Sequence, residues 1–199
     1  EYQALPRGRR LAYRLYRTPL VIFVVGPAFQ FLLRNRLPQG IRREDWGNWV
    51  SAMGTNIMII LAAGLMIYAI GPEPFLLVHL PIILLASSIG VWLFYVQHQF
   101  EDTYWSEDQN WNLQDSALHG SSHYALPQPL RWLTANIGIH HVHHLQSRIP
   151  YYRLPQVLRD YPELATFRRL TLWQSFACAR LRLWDESRRK LVSFAKARE

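Results

Sequence analysis

The sequence has a single cysteine, Cys178, among its 199 residues. One thiol excludes an internal disulfide bond and any metal cluster that is held by cysteines. The amino end also lacks the features of a secretory signal, because residues 1–17 are basic and contain no apolar segment. The chain begins at Glu1 without a methionine, and we therefore interpret it as part of a longer protein.

Positive charge is missing from the whole middle of the chain. Nine arginines lie between Arg7 and Arg43 and thirteen Lys or Arg lie from Arg131 onward, which accounts for all 22, so residues 44–130 contain none. A nucleic-acid-binding face would spread its basic residues over one surface. The net charge of +8 therefore does not indicate a nucleic acid partner; the basic residues flank an apolar block instead.

That block contains two long runs without charged residues. Trp49–Ile70 has 22 residues and no charged side chain, and Pro74–Gln97 has 24 residues in which only His79 could carry a charge near neutral pH. With a rise of 1.5 Å per residue, a helix of either length crosses a hydrocarbon core of about 30 Å. Because the linker is very short, the two runs predict an antiparallel transmembrane hairpin.

The basic residues also predict how this hairpin is oriented. The linker contains Glu73 and no Lys or Arg, whereas both outer flanks are strongly basic, so the positive-inside rule places both flanks in the cytoplasm. We predict that residues 1–46 are cytoplasmic or interfacial, that 49–70 and 74–97 span the membrane, and that 98–199 form a cytoplasmic cap. Within the first segment, Thr18–Leu33 is short and is interrupted by Gly26-Pro27, which is typical of an interfacial or re-entrant helix.

Four of the eight histidines lie within five residues. On a helix, His140, His143 and His144 share an arc of about 100°, whereas His141 points to the side of that arc. Three imidazoles on one face pack poorly but are a good set of ligands for iron, zinc or copper. The alternative is a solvent-exposed histidine tract that binds metal only incidentally, and apolar neighbours such as Leu145 disfavour it.

The remaining histidines are isolated from this group in the sequence. His98 follows the predicted cytoplasmic end of the second span, a rigid position from which a ligand could reach the same site. Glu101 and Asp102 could then accept a hydrogen bond from its ring. The alternative for His98 is an interfacial residue among lipid headgroups. We interpret three histidines as non-ligands: His79, His119 and His123.

Together these patterns predict an all-α fold. We expect an integral membrane helical bundle made of the transmembrane hairpin and interfacial helices, with a cytoplasmic helical cap that carries a histidine-rich metal site. From Tyr151 onward the chain is basic and aromatic, and the helical spacing of Leu170 to Leu183 predicts amphipathic helices that lie against the membrane.

The segment 134–145, Thr-Ala-Asn-Ile-Gly-Ile-His-His-Val-His-His-Leu, resembles the third histidine box of membrane fatty acid desaturases. That box is His-x-x-His-His, and it falls here on His140, His143 and His144. Residues 1–6, 32–38, 97–105 and 120–122 are similar to the same family. The likeness is strongest to the bacterial and plastid type that acts at the delta-12 or omega-6 position. It covers nearly the whole chain and becomes weaker after Leu164.

The resemblance implies an oxygen-dependent di-iron centre that is held by three histidine boxes and one further histidine. By this comparison His140, His143 and His144 are iron ligands, and His98 is the additional one. The first and second boxes are absent from the chain, and we expect them before Glu1 in a longer protein. The family also implies O2 as co-substrate, a membrane lipid or fatty acyl substrate, and an electron donor such as ferredoxin. It further implies a location in the bacterial inner (cytoplasmic) membrane with the metal site on the cytoplasmic side.

The leading functional hypothesis is therefore the insertion of a cis double bond into an acyl chain. One alternative is a fatty acyl or carotenoid hydroxylase on the same scaffold. Another is a non-catalytic membrane protein that binds or transports metal, although such a protein would need ionisable residues along its spans and only His79 qualifies. Because four histidines cannot hold two irons, we expect the chain on its own to be inactive.

Overall fold

The computed structural model of the protein describes residues 1–38, 40, 42, 45–106 and 111–198. The described chain is mostly helical, as predicted, and divides into two compact units, Glu1–Trp92 and Leu93–Glu199. One long helix begins in the first unit and ends in the second.

The first unit opens with helix α1 (Arg7–Tyr16), followed by a π-helical turn (Val21–Val25) that continues into α2 (Gly26–Leu32). In the π-helical turn the N–H of Gly26 donates to the carbonyl of Val21, five residues earlier. Pro27 has no N–H and therefore cannot make the i to i−4 hydrogen bond of an α-helix. The interruption predicted at Gly26-Pro27 was therefore wrong: the chain stays helical there and bends by 52° between Tyr16 and Val21. The two bent segments together could form one broken span or a re-entrant loop.

Two long helices follow, and they match the two apolar runs of the sequence. Helix α3 (Trp46–Ile70) and helix α4 (Pro72–His98) are each long and apolar enough to cross a membrane, with mean hydropathy of 2.0 and 2.2. Gly71 joins them with a φ of 85°, a left-handed conformation that glycine adopts without strain. Apolar side chains such as Ile60 and Leu77 are about two-thirds exposed, at 70% and 68%. Such exposure is favourable in lipid and costly in water.

The second unit contains short helices and strands packed around a small apolar core. Its helices are α5 (Leu113–His119), α6 (Gln128–Leu133), α7 (His140–Leu145), α8 (Leu154–Asp160), α9 (Pro162–Thr166) and α10 (Leu172–Cys178). Its strands are β1 (His123–Ala125), β2 (Arg169–Thr171), β3 (Leu183–Asp185) and β4 (Lys190–Val192). Ile139, Val142 and Leu154 form the core, and partly buried side chains of α8 and α9 pack against it.

The strands form two small sheets in a part of the chain for which the sequence predicted only helices. Strand β1 pairs in parallel with β2, and β3 pairs with β4 in an antiparallel hairpin. Of the segment 170–183, only α10 is helical, beginning at a capping box between Thr171 and Gln174. Strand β3 ends in a turn in which Asp185 Oδ1 accepts hydrogen bonds from the backbone N–H groups of Ser187 and Arg188. The pairing partners of these strands are distant in the sequence or set by a turn, so helical spacing alone could not reveal them.

Candidate metal centre

Three imidazoles meet within the second unit. The Nε2 atom of His98 lies 3.3 Å from Nε2 of His140 and 3.2 Å from Nε2 of His144. The Nε2 atoms of His140 and His144 are 3.1 Å apart. His98 is the last residue of α4, whereas the other two lie on α7. The structure thus brings together three of the four residues that the sequence singled out.

The hydrogen bonding of His98 fixes which of its nitrogens can bind a metal. Its Nδ1 lies 2.8 Å from the carbonyl oxygen of Phe94, one turn earlier in α4. A carbonyl oxygen only accepts, so Nδ1 carries the proton and donates. In the neutral ring the lone pair is therefore on Nε2, the atom that faces His140 and His144. A backbone carbonyl that orients a ligating imidazole in this way is common in metal sites.

Burial favours the neutral form of two of the three rings, His140 and His144. It lowers the pKa of His140 to about 3, and the neighbouring His98 and His144 lower it further because a charge on any one ring disfavours a charge on the next. The pKa of His144 is lowered for the same reasons, burial first and His98 second. At neutral pH these rings are therefore uncharged, and their lone pairs are available to a metal without the loss of a proton.

The spacing of the three nitrogens suits one metal ion. Two nitrogens that bind the same ion at about 2.0–2.1 Å lie about 2.9–3.4 Å apart when the N–metal–N angle is between that of an octahedral site and that of a tetrahedral site. The observed separations of 3.1 to 3.3 Å fall inside that range. Hydrogen bonds among the three rings explain these N–N distances less well. If His140 and His144 both donated to the lone pair on Nε2 of His98, their two N–H groups would crowd each other.

His143, the fourth predicted ligand, lies beside the triangle and is not part of it. Its ring stacks on that of His140 at a centroid distance of 5.6 Å and an interplanar angle of 24°. The group whose ligand atoms all lie within 4.8 Å of one another contains His98, His140 and His144. His143 is partly exposed, and its role as a ligand stays a prediction, because it is not in the group of described residues whose ligand atoms could share one ion.

Backbone contacts fix the end of α4 that carries His98. The N–H of Ser122 donates to the carbonyl of Gln97 at 2.9 Å, and the Ser122 hydroxyl donates to that of Val96 at 3.3 Å. The hydroxyl of Tyr95 donates to the carbonyl of Leu181 at 2.9 Å. Val96, Gln97 and Ser122 are essentially inaccessible to solvent. The last carbonyls of a helix need outside partners, and here those partners also anchor the cluster.

A glycine fixes the start of α7. Gly138 lies so close to β1 that a Cβ atom there would be 2.3 Å from the carbonyl oxygen of Tyr124, which no real side chain could tolerate. The N–H of Tyr124 donates to the carbonyl of Gly138 at 2.7 Å, and His123 forms a bridge with Ile139. The two residues before the histidines are thereby attached to β1.

The predicted partners of His98 proved wrong. Glu101 forms an ion pair with Lys190 at 3.1 Å, and Asp102 faces Arg168 at 4.0 Å. The prediction assumed that the helix continues to these residues, but α4 ends at His98, so the spacing of a helical face no longer applies. The carbonyl of Phe94 accepts the ring proton instead.

The other histidines have partners outside the triangle. His119 lies 4.0 Å from Asp115 and packs edge-on against Phe167, and His79 stacks on Phe75. His123 and His141 donate to backbone carbonyls of α9. No sequence pattern indicates this last pair, because the two residues are eighteen apart and their acceptors follow some twenty residues later still.

The fold and this cluster define a class of protein: a membrane protein whose second unit holds a triad of imidazoles suited to a metal. The sequence model of the family "Fatty acid desaturase" matches residues 2–176. A protein of Bacillus subtilis (strain 168) described as "Fatty acid desaturase" is 45% identical over 195 residues, which cover 98% of this chain. The chain therefore belongs to the fatty acid desaturase family, a family of oxidoreductases. It spans about half the length of that relative, 54%.

Proposed function

We propose that this chain is part of an oxygen-dependent fatty acid desaturase that introduces a cis double bond into an acyl chain at an iron centre. The observation that carries the proposal is the triad of Nε2 atoms, 3.1 to 3.3 Å apart, in a chain of this family. Imidazole is a suitable ligand for iron, and an unactivated methylene group needs oxygen chemistry that no side chain can supply.

In this proposal His98, His140 and His144 hold one iron. His143, on the same helix and stacked on His140, would contribute to a second iron. The remaining ligands would come from the half of the protein that corresponds to the unmatched part of the relative. That half would also supply an acceptor for Nδ1 of His140, which is buried without a hydrogen-bond partner in the described part of the chain. Ligating histidines normally donate from that second nitrogen.

The chemistry of the reaction is a four-electron reduction of oxygen. The acyl chain gives two electrons and two protons as –CH2–CH2– becomes –CH=CH–, a carrier such as ferredoxin gives two more electrons, two more protons come from water, and O2 leaves as two waters. Bound iron would supply the activation of O2. The role of this chain is to keep the His140 imidazole neutral, since burial lowers its pKa, and to orient the His98 imidazole through the Phe94 carbonyl.

We further propose that the metal site faces the cytoplasm of a bacterium, at the inner membrane. All 22 Lys and Arg lie outside residues 44–130, on the two flanks of the hairpin, and positive flanks are retained in the cytoplasm. A basic cytoplasmic face would also attract an acidic electron carrier.

The test is to express the gene in a bacterial host that lacks the double bond and to identify its fatty acids by mass spectrometry. We expect a new cis-unsaturated acid from the wild type, none from His140→Ala, and at least half the wild-type amount from His119→Ala. The second variant is a matched control because it removes an imidazole outside the triad. Unsaturated product from His140→Ala at the wild-type level, with equal protein in the membrane, would refute the proposal. A hydroxylated acid would assign the chain to the hydroxylases instead.

A second measurement addresses the chain by itself. We expect the 199 residues, expressed alone, to form no unsaturated acid and to bind fewer than two irons per molecule. Stoichiometric di-iron in that chain, measured by elemental analysis, would show that its own histidines suffice.

A further inference from the structure

We propose that His141 and His123 are positioning residues that fix the metal-binding helix α7 through backbone carbonyls, and that His141 is not itself a ligand. We call these two side chains, together with the two carbonyls to which they donate, the histidine clamp. This inference rests on the proposed metal site and extends it to residues that contact no metal.

The clamp is defined by two hydrogen bonds. The Nε2 atom of His141 lies 2.9 Å from the carbonyl oxygen of Leu164, and Nδ1 of His123 lies 2.7 Å from that of Ala165. Both acceptors are carbonyls, so both nitrogens carry protons and donate. The nitrogen of His141 that makes this bond cannot at the same time bind a metal, and His141 is not part of the group of ligand atoms that converge, which belong to His98, His140 and His144.

The acceptors lie at the end of helix α9 (Pro162–Thr166), which has only five residues. The last carbonyls of a helix have no partner within it, and side chains with N–H groups satisfy them. Here the two side chains come from different elements: His123 from β1, and His141 from within the histidine box itself. The rings lie 5.5 Å apart.

Helix α7 needs such support because it cannot set its own orientation. It has six residues and no side chain caps its first turn, and so short a helix is not stable alone. Its amino end is attached to β1 through Gly138 and Ile139. Val142 also packs in the core with Leu154, but apolar packing is non-directional and sets the rotation of the helix less sharply than a hydrogen bond does. The bond from His141 to Leu164 provides a second attachment, and it is fully buried on the His141 side.

The rotation of α7 decides where the ligand nitrogens point. His140 precedes His141 in the chain, and His144 lies one turn beyond His140, so a rotation that breaks the clamp turns both nitrogens away from His98. A shared metal ion would tolerate little movement, because nitrogens that bind one ion at about 2.0–2.1 Å must stay within about 3.4 Å of one another, and they now lie 3.1 to 3.3 Å apart.

The test compares three variants of the purified protein in detergent. His141→Leu removes the N–H donor and replaces the imidazole with an apolar side chain of similar bulk. His141→Gln keeps an N–H that can reach the same carbonyl. His144→Ala removes a proposed ligand and shows how the loss of one imidazole appears in the Co2+ absorption spectrum.

Two readouts are measured on each variant: the amide hydrogen exchange of residues 140–145 and 162–166 without metal, and the affinity and visible spectrum of bound Co2+. We expect His141→Leu to speed exchange in both segments at least tenfold and to weaken Co2+ binding by roughly ten- to a hundredfold, the usual effect of losing an outer partner. Its Co2+ spectrum should match the wild type, and His141→Gln should restore both readouts to within about threefold.

Three results would overturn the positioning role. The first is unchanged exchange in His141→Leu, and the second is a Co2+ spectrum altered as in His144→Ala, which would make His141 a ligand. The third is a folded His141→Gln variant that remains as impaired as the leucine variant. If the wild type binds no Co2+, the proposed metal site fails, but the exchange data still decide whether the clamp fixes α7.

Discussion

The close approach of Gly138 to Tyr124 leads to a sharp prediction for Gly138→Ala. The added Cβ would lie 2.3 Å from the Tyr124 carbonyl oxygen, whereas ordinary contact begins at 3.4 Å, so the two backbones must separate by about 1.1 Å (3.4 − 2.3). The hydrogen bond from the N–H of Tyr124 to Gly138, now 2.7 Å, would then exceed the range of a hydrogen bond.

The free-energy cost follows from these contacts. Tyr124 is 2% exposed, so its N–H would lose its partner out of reach of water, which costs about 1–3 kcal/mol. Steric overlap adds about 1–3 kcal/mol if the backbones at Gly138 and Tyr124 do not separate fully. We expect a loss of about 3 kcal/mol, equivalent to a melting temperature lower by roughly 6–12 °C. Because Ile139 and His140 follow directly, the Co2+ affinity should fall at least tenfold as well.

The matched control is Gly8→Ala, the same chemical change in α1 at a position where a Cβ would meet nothing within 4 Å. There the melting temperature should stay the same or rise slightly, since alanine favours a helix by up to about 1 kcal/mol. Melting would be followed in detergent by intrinsic fluorescence. A Gly138→Ala variant with the stability and Co2+ affinity of the wild type would show that β1 and the start of α7 are not in contact.

Three further predictions concern the second unit. Burial raises the pKa of Cys178 to about 11, so the only thiol should resist Ellman's reagent at pH 8 and react on unfolding; rapid reaction of the folded protein would contradict its burial. Burial lowers the pKa of His141 from 6.5 to about 4, so between pH 6.5 and pH 4 the unfolded chain binds more protons than the folded chain. Through this residue, the free energy of unfolding of the metal-free protein should fall by about 2 kcal/mol between pH 7.5 and pH 5. The melting temperature of His141→Gln should depend less on pH over that range than that of the wild type. An equal dependence would show that His141 does not cause the loss of stability. Tyr95→Phe should cost about 1 kcal/mol in melting experiments, because the carbonyl of Leu181 loses its donor, and an unchanged melting temperature would mean that water replaces the hydroxyl.

The sequence by itself determined the spanning helices and the chemistry of the cluster. Runs of 22 and 24 residues without a charged side chain have few structural outcomes other than a helix in lipid, because each backbone group there must bond within its own segment. The i, i+4 spacing of His140 and His144 likewise places both rings on one side of any helix, and a histidine directly after a span lies at its rigid end.

Only the tertiary structure decided what each histidine contacts. His98 meets α7 more than forty residues later, and the chain between them passes through α5, β1 and α6, whose arrangement local spacing does not encode. The separation of His140 and His144, which point toward His98, from His141, which holds α9, depends on the rotation of one six-residue helix. That rotation is set by Gly138, by the packing of Val142 in the core and by the carbonyl of Leu164, because a helix so short has no preference of its own.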